Sequence, residues 1–198
     1  MNKGLLIVIS GPSGVGKGTV LKSVFENDDN LVYSVSCTTR DPRPGETDGV
    51  EYHFISKETF QDNILNGKML EYATYCDNFY GTNAEYVEKQ RNMGYDVVLE
   101  IEVQGALQVM KKIPDAVSLF VAPPSFEVLK QRLTGRGTES QDVVESRIKR
   151  AYEEISHMDE YTYVVVNDIV EKACDDVLSI IKSERIKNNK NNIRGTLL

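Results

Sequence analysis

Residues 5 to 19, LLIVISGPSGVGKGT, set an unbroken apolar run directly before a glycine-rich turn that carries one lysine. A run rich in Leu, Ile and Val without alternation is the pattern of a strand buried on both faces of a parallel sheet. The turn fits G-x-x-x-x-G-K from Gly11 to Lys17, through Pro12, Ser13, Gly14, Val15 and Gly16. Gly11, Gly14 and Gly16 accept backbone angles closed to other residues, so successive N–H groups can converge on an anion. Lys17 adds a point charge for outer phosphates, and the helix that follows offers its positive end. A chance glycine-rich turn needs no particular flanks, whereas this pattern requires a buried strand before it and a helix after it. The reading is a phosphate-binding loop and a chain that handles a nucleotide. Gly18 follows the lysine where Ser or Thr is usual, and the hydroxyl comes one residue later at Thr19. No metal ligand is therefore assigned to the loop, and Thr19 is given to an inner phosphate.

Bulk properties narrow the partner. A chain of 198 residues can bury one good core. Its net charge of −7 argues against a nucleic-acid polymer, whose binders carry basic faces. A small phosphorylated ligand needs only a local basic patch. No apolar stretch approaches a membrane span, and residues 1 to 9 lack the basic start and cleavage site of a signal peptide. Cys37, Cys76 and Cys174 are odd in number and widely spaced, which reads as reduced thiols and a cytoplasmic setting.

Strand and helix patterns alternate, which predicts an α/β fold of three layers around a central parallel sheet. The predicted units are a helix over 16–26, a strand over 97–103 with a helix to about Lys112, and a strand over 116–122. A helix N-capped by Ser125 follows, then a strand over 161–167 and a helix over 168–185. The polar tail 187–198 is predicted to fray. Residues 31–94 change character. Short alternating runs appear, with six of the ten tyrosines, and they predict an inserted mixed α/β substrate-binding subdomain. Residues 132–156 are helical and carry four arginines, and are read as a lid. The core is then 1–30, 95–131 and 157–186.

Within the insert, Ser34 to Glu46 packs Arg40 and Arg43 beside hydroxyls, with Pro42 and Pro44 limiting the backbone. Arginine forks match phosphate oxygens, so two arginines three residues apart can clamp one terminal phosphate. The plain alternative is a solvated loop with surface ion pairs. Tyr52, Glu71 and Tyr80-Gly81-Thr82 follow in the same insert and count against it. Tyrosine hydroxyls complete a phosphate site, and a carboxylate such as Glu71 can accept two N–H bonds from guanine, which adenine does not offer.

The runs GPSGVGKGT, SVSCTTRDPRPGE, DGVEYHF, LEYATY, FYGT, LEIEVQGA, APPS, RLTGRGTES and VVND, in this order from about Leu5 to Arg185, resemble guanylate kinase. The resemblance implies a P-loop NTPase fold with an inserted GMP-binding subdomain and a helical lid. It also implies transfer of the γ-phosphoryl of ATP, with Mg²⁺ carried by the ATP, to GMP or dGMP. Carried over position by position, Arg40, Arg43, Tyr52 and Tyr80 would hold the GMP phosphate, and Ser36, Glu71 and Thr82 would read guanine. Gly11 to Thr19 would bind ATP. Glu100 and Glu102 end a strand at the sheet edge where ligands of such sheets bind. Both are assigned to the GMP side, with Glu100 also the candidate to orient Mg²⁺ through water. The family commonly has Asp where Glu102 stands. Arg136 and Arg147 are assigned to the transferring phosphoryl group, with Arg132 and Arg150 as flanking substitutes. Asn167 matches a position near the adenine, with a structural turn asparagine as the equal alternative. His53 and His157 have no partner spacing for a metal or a triad. Two other readings stand beside this one. One is an inactive guanylate-kinase-like module that binds proteins. The other is a kinase of the same framework acting on a sugar phosphate, which has no guanine edge for Glu71 and Thr82 to read.

Overall fold

Strand β1 (Leu6–Ser10) is buried along its whole length, as its unbroken apolar run requires. The computed structural model describes residues 3–75, 77–134 and 141–197. In it β1 is the centre of a five-stranded sheet with β2 (Leu31–Tyr33), β7 (Asp96–Glu100), β8 (Val117–Ala122) and β9 (Tyr163–Val166). The order is β2-β7-β1-β8-β9, and every pairing is parallel. Parallel neighbours need crossovers, and helices supply them on both faces. Leu5, Ile7 and Ile9 meet Val20, Leu21 and Val24 of α1 (Lys17–Glu26) and Ala173, Val177 and Ile181 of α7 (Val170–Leu197). Leu6 and Val8 point the other way, to Val87 of α3 (Ala84–Asn92) and to Val103, Ala106 and Val109 of α4 (Val103–Lys112). Each such side chain contributes about 1.5–3 kcal/mol on leaving water. The three layers are those the alternation predicts.

A second, smaller sheet holds β3 (Cys37–Thr38), β4 (His53–Phe54), β5 (Met69–Tyr75) and β6 (Asn78–Asn83) in the order β4-β3-β6-β5. It is mixed, since β3 and β4 are parallel and the other pairs antiparallel. Helix α2 (Lys57–Leu65), capped by the Ser56 hydroxyl, covers it through the fully buried Phe60, stacked 5.3 Å from Phe79. Helices α5 (Phe126–Thr134) and α6 (Gln141–Ile155) come between β8 and β9, and their Leu129, Leu133 and Ala151 are buried in the same cluster as Ile7 and Ile9 of β1. Ser125 does cap α5, accepting from Val128 N at 3.2 Å.

Three boundaries differ from the sequence reading. Leu31–Tyr33 pairs with β7, so the segment read as an insert begins with an edge strand of the main sheet. Strand β7 stops at Glu100, and Glu102 already caps α4, its carbonyl accepting from Ala106 N at 2.9 Å. The tail predicted to fray continues helix α7, which runs to Leu197, and its first extra turn is tied down. Lys187 bonds Glu184, and Asn188 Nδ2 donates to Lys3 O at 3.0 Å. Among the described residues no helix is long and apolar enough to cross a membrane. Cys37 and Cys174 are buried free thiols, and Cys76 lies outside the described residues.

Candidate active site

The phosphate loop leaves β1 at the C-terminal edge of the sheet and turns into α1 at Gly16. That residue has φ 94°, and a Cβ there would come 2.6 Å from the Asn167 amide nitrogen, so only glycine fits. No acidic residue occupies the first turn of α1, which leaves its positive end uncompensated. Lys17 Nζ donates to Gly11 O at 2.7 Å and to Pro12 O at 3.3 Å, which holds the ammonium at the mouth of the loop. Burial pushes the Lys17 pKa down, and the carboxylates of Glu100, Glu154 and Glu102 oppose that shift. Val15 is wholly buried, and its carbonyl accepts from Asn167 Nδ2 at 2.8 Å and from Arg132 at 3.2 Å. Arg132 also donates to Asn167 O at 3.1 Å. Asn167 and Arg132 therefore hold the loop from behind. Of the two readings the sequence left for Asn167, this contact is the structural one.

The loop opens into a cavity of about 830 Å³ that continues to the second sheet. Of the predicted residues, Gly11, Ser13, Gly14, Gly16 to Thr19, Ser36, Arg40, Arg43, Tyr52, Glu71, Tyr80, Glu100 and Glu102 all line it. Pro12, Val15, Thr82, Arg147 and Asn167 are not on its wall. Arg136 lies outside the described residues. Arg40 forms a two-pronged pair with Glu46, at 2.9 Å on each oxygen, and its guanidinium lies 5.5 Å from the Tyr52 ring centre. Glu46 also accepts Arg43 N–H at 2.7 Å, and the Arg40 contact holds its carboxyl below the usual range. A carboxylate thus occupies Arg40 in the arrangement expected for an anionic ligand.

Deeper in, Glu71 is 3% exposed and accepts the Thr82 hydroxyl at 2.7 Å, and burial pushes its pKa up to about 7. Thr82 is fully buried behind it, so here its hydroxyl orients the carboxylate. The second Glu71 oxygen packs on Gly105, where a Cβ would approach to 2.4 Å. Glu100 faces Lys17 and accepts the Tyr33 hydroxyl, while burial raises its pKa. Burial beside Glu100 also pushes the Tyr33 hydroxyl up. Glu100 Oε1 would sit 3.9 Å from a Cβ at position 18, which places this carboxylate beside the start of α1. Among the described residues no three His, Cys, Asp or Glu side chains converge as a metal site.

Helix α6, in the segment read as a lid, touches the loop directly. Arg147 Nη2 donates to Ser13 Oγ at 3.2 Å, and Glu154 Oε2 accepts Ser13 N–H at 3.4 Å. Arg150 enters the cavity wall and pairs with Glu102 and Glu154. Sequence reasoning missed Tyr33, Glu46, Gly105 and Glu154. Only Glu46 carried a signal, its place three residues beyond Arg43 in the arginine and proline segment. The others depend on long-range contacts that no local spacing encodes.

A sequence model described as guanylate kinase matches residues 3–184. The chain is 55% identical over 188 residues to the guanylate kinase of Oceanobacillus iheyensis, covering 95% of this chain and 91% of that one. It is 55% identical over 185 residues to the guanylate kinase of Lactococcus lactis subsp. lactis, covering 93% and 90%. A crystal structure of guanylate kinase from Anaplasma phagocytophilum superposes with a TM-score of 0.75 at 36% identity, covering 92% of this chain and 87% of that one.

Proposed function

The chain belongs to the guanylate kinase family, and from that premise we propose that it transfers the γ-phosphoryl group of ATP to GMP or dGMP, giving ADP and GDP or dGDP. The observation that carries the reading is the single 830 Å³ cavity. One end holds the Lys17 cradle for a polyphosphate, and the other holds Arg40, Tyr52 and Tyr80 in front of the buried Glu71.

Phosphoryl transfer asks a protein chiefly for alignment and for neutralisation of charge, with little covalent chemistry of its own. The transfer is direct and in line. Lys17 exchanges the Gly11 and Pro12 carbonyls for the outer phosphates of ATP, joined by the loop amides and the start of α1. Arg40 exchanges Glu46 for the acceptor phosphate, with Arg43, Tyr52 and Tyr80 beside it. Glu71, held by Thr82, accepts the guanine N–H edge, and Ser36 lines the same end. Arg147, already on the loop at Ser13, is the described lid arginine that reaches the transferring group, and Arg136 is assigned the same task. Closure of the acceptor sheet excludes water that would otherwise hydrolyse ATP. Mg²⁺ carried by ATP would add to the neutralisation of phosphate charge, and Glu100, facing Lys17, is the residue that would orient its water.

The test is ADP release measured with GMP against AMP, UMP and ribose phosphates. GMP alone should support fast release, and Lys17→Ala should lower turnover about 100-fold or more. Release that ignores GMP, or wild-type turnover in Lys17→Ala, counts against the assignment.

A further inference from the structure

One side chain carries the lid helix α6 across to the acceptor half. Arg150 Nη2 pairs with Glu102 Oε2 at the start of α4, and its Nε donates to Glu154 Oε1 at 3.1 Å. The guanidinium lies 5.1 Å from the centre of the Tyr75 ring, at the end of β5. Tyr75 meets Tyr80 edge-on at 6.5 Å, Tyr80 meets Tyr52 at 5.8 Å, and Tyr52 carries Arg40 on its face. The aromatic ladder therefore ends on the residues given to the acceptor phosphate. In the other direction, Glu154 holds the Ser13 N–H of the phosphate loop.

We propose that Arg150 is a positioning residue, a latch through the Tyr75 ring and Glu102 that makes the acceptor sheet and the lid move together. Filling the acceptor pocket then holds α6, and Arg147 with it, against the phosphate loop it already touches at Ser13. The inference rests on the two-nucleotide reading of the cleft. Arginine suits the task because its flat face stacks on a ring while its edge donates to two carboxylates, which a lysine does not reproduce. The contacts are partly exposed, with side-chain exposure of 41% for Arg150 and 61% for Glu102, so each is individually weak. A latch that opens in every turnover has to be weak. An ion pair serving only to stabilise the lid would need no partner on the acceptor hairpin. A phosphate entering the loop takes the Ser13 N–H from Glu154 and leaves that carboxylate to Arg150 alone. The ATP side thereby acts on the same latch, and by linkage each substrate favours the other.

The chain contains no tryptophan, so Tyr75→Trp installs a single fluorescent reporter. Adding Arg150→Ala to that variant should shift its emission to the red and raise iodide quenching. Unchanged emission and quenching overturn the latch, and this readout needs no catalysis, so it fails separately from the assigned reaction. In steady state, Arg150→Ala should lower kcat/KM for GMP about 5- to 30-fold. The GMP dissociation constant of the ATP-free protein, measured by calorimetry, should move less than about 2-fold. Arg150→Lys should recover only part of the loss, and Arg150→Ala with Tyr75→Leu should cost no more than the worse single change. Losses that multiply, or a weaker GMP affinity that accounts for the whole effect, overturn the proposal.

Discussion

Glu71 has one oxygen on the Thr82 hydroxyl and the other against Gly105, with almost no solvent. Desolvation disfavours its charged form and raises its pKa from 4.5 to about 7, although Thr82 and Lys112 pull the other way. The fold thus binds the proton more tightly than the unfolded chain does. The stabilisation from the protonated form is complete below about pH 4.5 and is lost as pH rises through about 7. Acceptance of two guanine N–H groups needs the carboxylate, so GMP binding near neutrality should release a proton. Accordingly kcat/KM for GMP should fall below pH 7, towards a tenfold loss per pH unit, roughly the limit for one ionisation. Glu71→Gln should abolish that titration and lower kcat/KM for GMP about 100-fold, through loss of two charged hydrogen bonds. The same variant keeps an acceptor for Thr82 and removes a buried charge. It should be more stable than the parent at pH 8, by up to about 3 kcal/mol, with the gain shrinking towards pH 5. Denaturant melts at the two pH values read the sign. A Glu71→Gln protein less stable at pH 8 would show that the carboxylate is not under strain.

At the scale of elements, the acceptor sheet depends on a core of its own. Cys37, Phe60 and Met69 are its buried members, with Ile55, Ile64 and Phe79 packed against them. Phe60→Ala should cost about 3–5 kcal/mol locally. Because the two large clusters on the main sheet do not include this side chain, the loss should stay in 34–83. Amide exchange should rise in β3 to β6 and remain slow in β1 and β8, and GMP binding should weaken far more than ATP binding. Exchange that accelerates equally in both sheets would show a single cooperative unit. The two sheets also differ in how far they can be read from the chain. β1, the loop and α1 were legible, because five buried residues in a row and G-x-x-x-x-G-K are local signals. β3 and β4 have two residues each, too few for any period to show. β2 escaped assignment to the main sheet because its three residues run on into the alternating VYSVS, the pattern read for the insert. Arg40, Arg43 and Tyr52 could be named from residue type and resemblance. The pairing of Arg40 with Glu46 and the seat of Glu71 on Gly105 exist only once the chain has folded.

Across the whole molecule, one arginine ties the last helix to the start of β7 and to the residues just after α1. Asp96, 3% exposed at the start of β7, accepts Leu5 N–H at 2.6 Å and Arg185 Nε at 2.5 Å. Arg185 also pairs with Asp28, after α1, at 2.7 Å. Residues from four stretches of the chain meet at this clasp, at the sheet edge away from the phosphate loop. Its role should therefore be stability without chemistry. Removing one partner of a buried pair leaves a charge uncompensated, which costs about 3–5 kcal/mol. In a chain of this size about 1 kcal/mol shifts Tm by 2–4 °C, so Arg185→Met should lower Tm by roughly 6–20 °C. Asp96→Asn added to it should return part of the loss, since the amide removes the stranded charge and its oxygen can still accept the Leu5 N–H. Stopping the chain after Ile186 keeps the clasp and should shift Tm far less than Arg185→Met, although it deletes the last turns of α7. Turnover with GMP at 25 °C should be unchanged in all three. A melt in which the shortened chain loses more than Arg185→Met would move the stabilising contact from the clasp to the end of the helix.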